Sequence, residues 1–381
     1  MYGPGAQQAS CAQNKDLDKN GRYPREECVR ETPDREFEYL CVDDYMRRMI
    51  DARALATAFE IGLIDTLSRA EEARADELAK RLGADDRGIT FLLGLLAENG
   101  VIENRDGAFS LAGGFINALR FRDLMEMKLS LSNFAAHDFL ELFSDLVKSP
   151  EGFMTKARFP HLFAYDRCFD SSEDDRRVTR QWMRVTTVLT KYESQACMKY
   201  HDFGCYERML DVGGNSGEFA LRLCRKHPAL RADVFDLPLV CDVGMSHVGD
   251  AAEADRIRFV RGNAVTDDLP EDYDLVTFKS MLHDWPDHIA RNLVKKGAGA
   301  LKKGGTMVIF ERASTPVIGT PGYSLLPFLV FFHSYRPPEF YVRCMKENGF
   351  INISSKIINL EMPFLLVTGV AGAQSLSGKG A

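Results

Sequence analysis

Hydrophobic residues recur at helical spacing through the first half of the chain. The pattern predicts a first helix over residues 37–67, with apolar positions at Leu40, Tyr45, Met49, Leu55, Phe59 and Leu63. The pattern is helical again over about 119–200, with a break at 150–160, and its last part predicts a long helix over 174–201. Residues 1–36 are instead rich in Gly, Gln, Asn, Pro and charge, which predicts a mobile tail.

A compact pattern lies between these helices, over about residues 73–114. Two short helices are predicted over 74–82 and 86–98, the second capped by Asp85 or Asp86, and two strands at 101–104 and 108–111 flank a tight turn. Helix, helix and two-stranded wing form a winged-helix arrangement. The segment carries five basic and seven acidic side chains, so it lacks the positive charge that a DNA-binding surface needs. We therefore expect a dimerisation or scaffolding module.

Strands and helices alternate in the second half of the chain. Short apolar runs predict strands at 209–212, 232–235, 257–261, 275–279 and 306–310. Helices are predicted between them, at 218–226 and 288–301. This alternation is typical of an α/β fold with a doubly wound parallel sheet, which binds ligands at the carboxyl ends of its strands. We expect a helical N-terminal domain over 37–200, a sheet domain over 201–372 and a flexible C-terminus over 373–381.

Composition and charge narrow the class of protein. The 381 residues carry 48 basic and 55 acidic side chains, so no basic excess indicates a nucleic-acid partner. The longest apolar run, Leu325 to Phe332, is too short to span a bilayer. The nine cysteines form no CxxC pair and none has metal-ligand spacing to a histidine. We expect a reduced, cytoplasmic protein without a structural metal.

A glycine-rich turn follows the first strand of the second half. It reads Asp211-Val-Gly213-Gly214-Asn215-Ser-Gly217 and precedes a helix, so its backbone N–H groups can hold a ligand. The dinucleotide pattern GxGxxG fails here, because Asn215 and Glu218 occupy two of its glycine positions. Asn215 instead takes a glycine position of an Asp-x-Gly-x-Gly-x-Gly turn, and Asn tolerates a positive φ.

Asp236 ends the second strand, 25 residues after Asp211. An acidic side chain at this position can accept hydrogen bonds from both hydroxyls of a ribose. Together with the failed dinucleotide spacing, this favours an adenosyl ligand that has no pyrophosphate.

Four segments resemble successive motifs of a known family. They are the turn 211–217, Phe-Asp-Leu-Pro at 235–238, Arg-Gly-Asn at 261–263, and Phe-Lys-Ser-Met-Leu-His-Asp-Trp-Pro-Asp at 278–287. They are similar to motifs of the S-adenosylmethionine-dependent O-methyltransferases of the plant caffeate and animal hydroxyindole type. The similarity extends over roughly residues 40–370. It implies a Rossmann-like methyltransferase sheet, a winged-helix-like dimerisation domain, a homodimer, and S-adenosylmethionine as cofactor.

The resemblance also implies which residues contact the cofactor. Gly213 would contact it through the backbone, Asp236 would bind its ribose, and Lys279 matches a cofactor-contacting lysine. Asn263 stands where the family usually has an Asp near the adenine, and its amide oxygen can still accept a hydrogen bond. The full set is Asp211, Gly213, Gly214, Gly217, Asp236, Asn263, Ala264 and Lys279.

His283 is the candidate general base. It follows the fourth strand of the sheet domain, at the edge where the cofactor is expected. A phenol titrates near ~10, so a base with a pKa of about 6.5 can take its proton at neutral pH. Glu311 ends the neighbouring strand and should lie beside His283, where a carboxylate can orient the imidazole. Asp284 is a weaker candidate for that role.

One departure from the family concerns a second glutamate that normally brackets this histidine. The corresponding segment reads Phe332-His-Ser-Tyr-Arg-Pro-Pro338 and has no acid before Glu339. Two interpretations remain open: Tyr335 or His333 replaces the glutamate, or base catalysis is weaker. We expect the enzyme to stay active, because orientation contributes effective molarities of about 10⁵–10⁸ M against roughly 10²–10⁴-fold for a base.

The candidate acceptor pocket is apolar. We expect its walls to be Trp182, Met183, Phe328, Phe332 and Tyr335, with help from Phe153 and Phe163. As acceptor, a hydroxylated aromatic or polyene-like small molecule is favoured. The sequence after His283 contains no cluster of acidic residues, so it does not imply a metal site. Two alternatives remain: a C-methyltransferase acting on a large ring such as a tetrapyrrole, or a cofactor-binding relative that has lost methyl transfer.

Overall fold

The computed structural model describes residues 36–169, 172–314 and 322–372. Most of the predicted tail 1–36, and the C-terminus 373–381, lie outside these residues. The helices are α1 Met49–Glu60, α2 Leu63–Ala70, α3 Ala75–Leu82, α4 Asp86–Glu98, α5 Gly113–Ala118, α6 Arg122–Lys148, α7 Pro150–Lys156, α8 Glu173–Tyr200, α9 Glu218–Lys226, α10 Pro238–Val248, α11 Asp287–Ala300, α12 Leu326–Leu329 and α13 Pro338–Glu347. The strands are β1 Ala73–Arg74, β2 Ile102–Arg105, β3 Ala108–Leu111, β4 Arg208–Val212, β5 Arg231–Asp236, β6 Ile257–Arg261, β7 Tyr273–Lys279, β8 Leu301–Arg312, β9 Phe350–Asn359 and β10 Pro363–Ala371.

The single helix predicted over 37–67 is wrong. A 3₁₀ helix over Glu38–Tyr45 comes first, and α1 and α2 follow as separate helices. The backbone is extended at Arg48, and Gly62 has a φ of 78°, so neither residue continues a right-handed helix. Met49, predicted as an inward position, is 50% exposed as a result.

The compact module over 73–114 has the predicted elements. Asp85 caps α4 by accepting hydrogen bonds from the backbone of Arg87 and Gly88, and Gly83 ends α3 with a φ of 62°. The antiparallel pair β2 and β3 forms the wing, and the short β1 adds a third strand to it. Helices α6 and α8 then lead from this module to the large sheet.

A seven-stranded sheet forms the second half in the order β6-β5-β4-β7-β8-β10-β9. The strands β4 to β8 are parallel where they pair, and their apolar runs are buried, as expected for strands covered on both faces. The doubly wound α/β class is therefore confirmed.

The C-terminal edge of the sheet was not predicted. Strand β10 lies between β8 and β9 and is antiparallel to both, and α13 packs against the pair. The edge strand β9 mixes apolar and polar residues without regular alternation and contains Ser354, Ser355 and Lys356 in a row, so it has neither a period-2 signal nor a continuous apolar one. The sheet is consequently mixed, with a parallel centre at which β4, β5, β7 and β8 end together.

Candidate active site

One cavity lies at the carboxyl ends of β4, β5, β7 and β8 and continues between these strand ends and α8. About 1340 Å³ of empty space, its open mouth included, lies between its walls. Predicted residues in the walls are Asp211, Gly213, Gly214, Asp236, Asn263, Ala264, Lys279, His283, Trp182, Phe328 and Tyr335. Phe163 also lines it.

The glycine turn closes tightly over the end of β4. A Cβ atom at Gly213 would lie 2.4 Å from Cγ of Met281, and one at Gly214 would lie 2.6 Å from Oδ2 of Asp211. Asn215 adopts a φ of 55°, in the left-handed region that its sequence position required. Its Oδ1 accepts a hydrogen bond from the Thr186 hydroxyl at 2.9 Å, which connects the turn to α8.

Two carboxylates lie beneath this turn, of which Asp211 is buried and Asp236 is half-buried. Asp236 accepts the backbone N–H groups of Asn215 and Leu237, both at 2.8 Å, and burial raises its pKa to about 6. Asp211 accepts the Thr277 hydroxyl at 2.6 Å through Oδ1, while its buried Oδ2 has no hydrogen-bond partner among the residues that the structure describes. Burial raises the pKa of Asp211 to about 7. A pyrophosphate would be repelled by these groups, whereas ribose hydroxyls can donate to the remaining lone pairs of Asp236.

Lys279 and Asn263 are both engaged within the chain. Nζ of Lys279 donates to the Thr190 hydroxyl at 3.0 Å and pairs with Glu193, which also pairs with Arg312. Burial alone would raise the pKa of Glu193, but the charges of Arg312 and Lys279 lower it to about 2. Oδ1 of Asn263 accepts the N–H of Val265 at 3.0 Å.

Glu311 holds both the turn and the ring of His283. One carboxylate oxygen accepts the backbone N–H groups of Met281 and Leu282, each at 2.7 Å, and the other accepts Nδ1–H of His283 at 2.6 Å. Glu311 is fully buried. This bond leaves Nε2 as the imidazole nitrogen that can accept a proton. Burial lowers the pKa of His283, but Asp284 and Glu311 outweigh this effect and raise it overall.

Asp284 lies on the other side of the same ring. Its Oδ1 is 3.4 Å from Nε2 of His283, and its Oδ2 accepts the Tyr165 hydroxyl at 2.5 Å. The Tyr165 ring stacks on Trp285, with ring centroids 6.0 Å apart, and meets Trp182 edge-on at 5.5 Å. Sequence reasoning missed Tyr165, because the irregular segment that carries it has no periodic signal.

Arg336 is a second residue that the sequence analysis missed. It is 7% exposed, and its guanidinium donates to the carbonyl groups of Leu282 (2.9 Å) and Trp285, on either side of His283. It also pairs with Asp287 at 2.7 Å. The guanidinium thereby satisfies two backbone carbonyl groups of the irregular turn that carries His283.

The segment that lacks the second glutamate places Tyr335 beside the histidine. The Tyr335 and His283 ring centroids are 5.3 Å apart, and burial raises the pKa of Tyr335 above its ordinary range. His333 is exposed and contacts Phe332 instead. Of the two predicted replacements, Tyr335 is therefore the one that contacts the imidazole.

The far end of the cavity is aromatic. Rings of Phe159, Phe163 and Phe331 contact one another at centroid distances of 5.3–6.0 Å. The Arg312 guanidinium lies 4.3 Å from the centroid of Phe328. Leu131 of α6 and Pro327 complete this end.

Four predicted binding residues do not line this cavity. Met183 packs with Cys168 and Leu239 behind the wall, and Phe153 is buried against Phe139. Phe332 is 43% exposed, and Gly217 precedes α9 with a φ of 74°, where Phe259 packs against it.

The described residues contain neither a group of side chains suited to a metal ion nor a helix suited to span a membrane. Within 36–169, 172–314 and 322–372, no group of three His, Cys, Asp or Glu side chains could hold a metal ion. In the same ranges, no helix has the length and apolar character needed to cross a membrane.

Two family models match the chain. An O-methyltransferase dimerisation domain matches residues 44–117, and an O-methyltransferase domain matches residues 143–323. The chain belongs to the S-adenosylmethionine-dependent O-methyltransferase family. The resemblance found in the motifs is thereby confirmed, and so is the dimerisation assignment of the winged-helix module.

Relatives of this methyltransferase act on different acceptors. It is 29% identical over 265 residues to a 3-hydroxy-5-methyl-1-naphthoate 3-O-methyltransferase of Streptomyces sahachiroi, covering 68% of this chain and 73% of the relative. It is 27% identical to the N,N-dimethyltransferase OxyT of Streptomyces rimosus, over 71% of this chain and 77% of the relative. Human N-acetylserotonin methyltransferase, solved with S-adenosylmethionine, has the same fold, with a TM-score of 0.68, 18% identity, and coverage of 90% of this chain and 99% of that one.

The cavity fits the family's cofactor. The glycine turn can pack this closely on Met281 and Asp211 because two positions lack a Cβ, and Asp236 retains acceptor capacity for ribose hydroxyls. S-adenosylmethionine is the cofactor of this methyltransferase.

Proposed function

We propose that this methyltransferase transfers a methyl group to a hydroxyl of a flat, largely apolar small molecule, with His283 as general base and without a metal. The observation that supports this most directly is the position of His283. Glu311 binds its Nδ1, and the ring lines the cavity that runs from the cofactor residues to the aromatic end. A base in this position suits an acceptor that must lose a proton as the new bond forms.

The cofactor end is formed by the strand tips. Backbone groups of Gly213 and Gly214, the Asp236 carboxylate, and the segment at Asn263 and Ala264 would hold the adenosyl part. Lys279 and Asp211 would complete the site beside β7 and β4. Bound there, S-adenosylmethionine supplies a methyl group on a positively charged sulfur.

The His283 side chain then handles the proton. Nε2 accepts the proton of the acceptor hydroxyl, and the electron pair of that O–H bond stays on the oxygen. The raised pKa of His283 makes it a stronger base than free imidazole. It also narrows the difference between the pKa of the base and that of a phenol, which titrates near ~10. Glu311 stabilises the resulting imidazolium through Nδ1.

The acceptor end favours an aromatic or polyene-like molecule. Phe159, Phe163, Phe328 and Phe331 present ring faces and edges to the cavity, and such surfaces bind flat apolar molecules. The naphthoate substrate in the name of one relative is a molecule of this kind. Trp182 and Tyr335 would form the border between the acceptor and cofactor ends.

We further propose a homodimer. The dimerisation domain carries exposed apolar side chains, among them Ile50 at 50% and Phe91 at 68%, beside an apolar groove formed by α1 and α4. An exposed groove of this composition is typical of a surface that a partner covers. The family model for dimerisation matches the same residues.

Methyl-labelled cofactor tests the reaction. The holoenzyme is incubated with S-[methyl-¹³C]adenosylmethionine and a panel of hydroxynaphthoates and other naphthols, and the product is analysed by NMR. We expect a new O–CH₃ signal, and roughly 10²–10⁴-fold lower turnover for His283→Ala. Turnover of His283→Ala equal to that of the wild type would refute the base assignment.

The same spectra test the alternatives. A new C–CH₃ signal would replace O-methylation by C-methylation. Cofactor binding by calorimetry, without transfer to any member of the panel, would favour a relative that has lost catalysis.

A further inference from the structure

The Asp284 carboxylate occupies a position from which it acts on the proton-accepting nitrogen of His283. Its Oδ1 lies 3.4 Å from Nε2, on the side opposite Glu311, which binds Nδ1 at 2.6 Å. The imidazole therefore lies between two acids, although the segment 332–338 supplies none. An anionic Asp284 favours a protonated Nε2, whereas proton transfer requires Nε2 to be free.

Tyr165 contacts Asp284 from outside the sheet. Its hydroxyl donates to Oδ2 at 2.5 Å, and its ring is fixed between Trp285 and Trp182. The segment 164–169 that carries Tyr165 is 119 residues away from Asp284 along the chain. This hydrogen bond is the contact through which that segment reaches the charged groups around His283.

We propose that Tyr165 is a positioning residue, whose hydroxyl draws negative charge of the Asp284 carboxylate away from Nε2 and thereby sets the pH at which His283 accepts a proton. The proposal rests on the proposed function of His283 as general base. It assigns Asp284 the role of the second acid that brackets the histidine.

The direction of the effect follows from the charges around the pair. The groups that face His283 are Asp284, Glu311, Arg312 and Tyr335, and those that face Asp284 are His283, Tyr165, Glu311 and Arg312. Because His283 and Asp284 interact, they titrate as a pair. A hydrogen bond from Tyr165 to Oδ2 takes up part of the carboxylate charge, and it thereby weakens the attraction of Asp284 for a proton on Nε2. Losing this bond must therefore raise the pH at which the pair becomes deprotonated.

The proton transfer involves only the acceptor hydroxyl and Nε2 of His283. The acceptor O–H bond breaks, the Nε2–H bond forms, and the electron pair remains on the oxygen. Asp284 and Glu311 together neutralise the imidazolium. Water removes the proton from Nε2 after the product leaves, so no further reactant is required.

Titration of His283 by NMR tests the proposal without an acceptor. The chain is labelled with ¹³C at Cε1 of its eight histidines and saturated with S-adenosylhomocysteine, and the His283 signal is assigned by its absence in His283→Gln. We expect Tyr165→Phe, which keeps the stacked ring, to raise the midpoint by about one pH unit. We expect Asp284→Asn, which removes the neighbouring charge, to lower it.

A matched control and a double variant isolate the contact. Tyr273 donates to Asp233 at the same distance of 2.5 Å, at the other end of β7, so Tyr273→Phe should leave the midpoint unchanged. In the Asp284→Asn background, Tyr165→Phe should have no further effect. An unmoved or lowered midpoint in Tyr165→Phe, or an equal rise in Tyr273→Phe, would overturn the proposal.

Kinetics separate this inference from the proposed function. On a naphthol that the enzyme methylates, the acid limb of kcat in Tyr165→Phe should move upward by about one pH unit, whatever the height of the plateau. A uniform loss at every pH together with weaker cofactor binding would make Tyr165 only a wall of the cavity. If His283→Ala keeps full activity, the base assignment fails instead, whatever the NMR midpoints are.

Discussion

Replacing Glu311 by Gln tests how much of the catalysis depends on the orientation of His283. The carboxylate makes three hydrogen bonds, two to backbone N–H groups and one to Nδ1–H. A glutamine oxygen can keep the two backbone bonds, but its NH₂ group then faces Nδ1. The ring must change tautomer to accept from it, which places the proton on Nε2 and removes the free base.

The magnitude follows from these contacts. Loss of a hydrogen bond to a charged group costs about 1.5–3 kcal/mol, or roughly 10- to 100-fold in rate. The wrong tautomer adds to this loss, and the comparable Asp-to-Asn change in Ser-His-Asp enzymes lowers kcat by about 10⁴-fold. We therefore expect kcat to fall by about 10²–10⁴-fold in Glu311→Gln. The remaining activity should have its acid limb at lower pH, since Glu311 contributes to the raised pKa of His283.

The assay is transfer of labelled methyl to a naphthol, with thermal unfolding measured in parallel. Glu218→Gln is the matched control, because Glu218 is also buried and accepts from Nε2 of His247 at 2.8 Å, outside the cavity. We expect this control to lose some stability and keep its turnover. Turnover of folded Glu311→Gln within about threefold of the wild type would refute the reasoning, because it would leave the ring orientation without a catalytic effect.

Three further predictions concern the cofactor, the dimer and acid stability. Asp236→Asn should weaken S-adenosylmethionine binding about tenfold in calorimetry, because a neutral amide is a weaker ribose acceptor; unchanged affinity would contradict the ribose assignment. Phe91→Asp should shift the sedimentation coefficient to that of a monomer, and a dimer that persists at micromolar concentration would move the interface elsewhere. The pKa of Glu193 is lowered from 4.5 to about 2, so its contribution to the free energy of unfolding is present above pH 4.5 and is lost as the pH falls toward 2. The free energy of unfolding of Glu193→Gln, measured in urea, should lack this pH dependence.

Local signals predicted the part of the fold that forms the proposed cofactor site. The strand β4, the turn at Gly213 and the start of α9 are adjacent in sequence, so apolar run, glycine spacing and helix start were read together. Glu311 could be placed beside His283 because neighbouring parallel strands end at one edge of the sheet. The apolar spacing over 37–67, by contrast, concealed the break at Gly62, since periodicity measures burial and not backbone continuity.

Contacts between distant segments could not be predicted in this way. Arg336 reaches Leu282 across 54 residues, and Tyr165 reaches Asp284 across 119. Both residues lie in irregular segments, whose course depends on packing and not on a repeating pattern. The missing second glutamate was visible in the sequence, and Asp284 was a weaker candidate there for orienting the ring, but its position beside Nε2 was visible only in three dimensions.

The two ends of the cavity are built by different parts of the chain. The proposed donor end is formed by short loops after β4, β5, β6 and β7, whereas the proposed acceptor end is formed by α6, α8 and residues 159–163 and 327–335. Substitutions at Leu131, Phe159 or Phe331 can therefore reshape what is recognised without disturbing the shared reagent. Such a division lets one scaffold acquire new acceptor molecules. Directed evolution of altered selectivity should therefore begin at these acceptor-end segments.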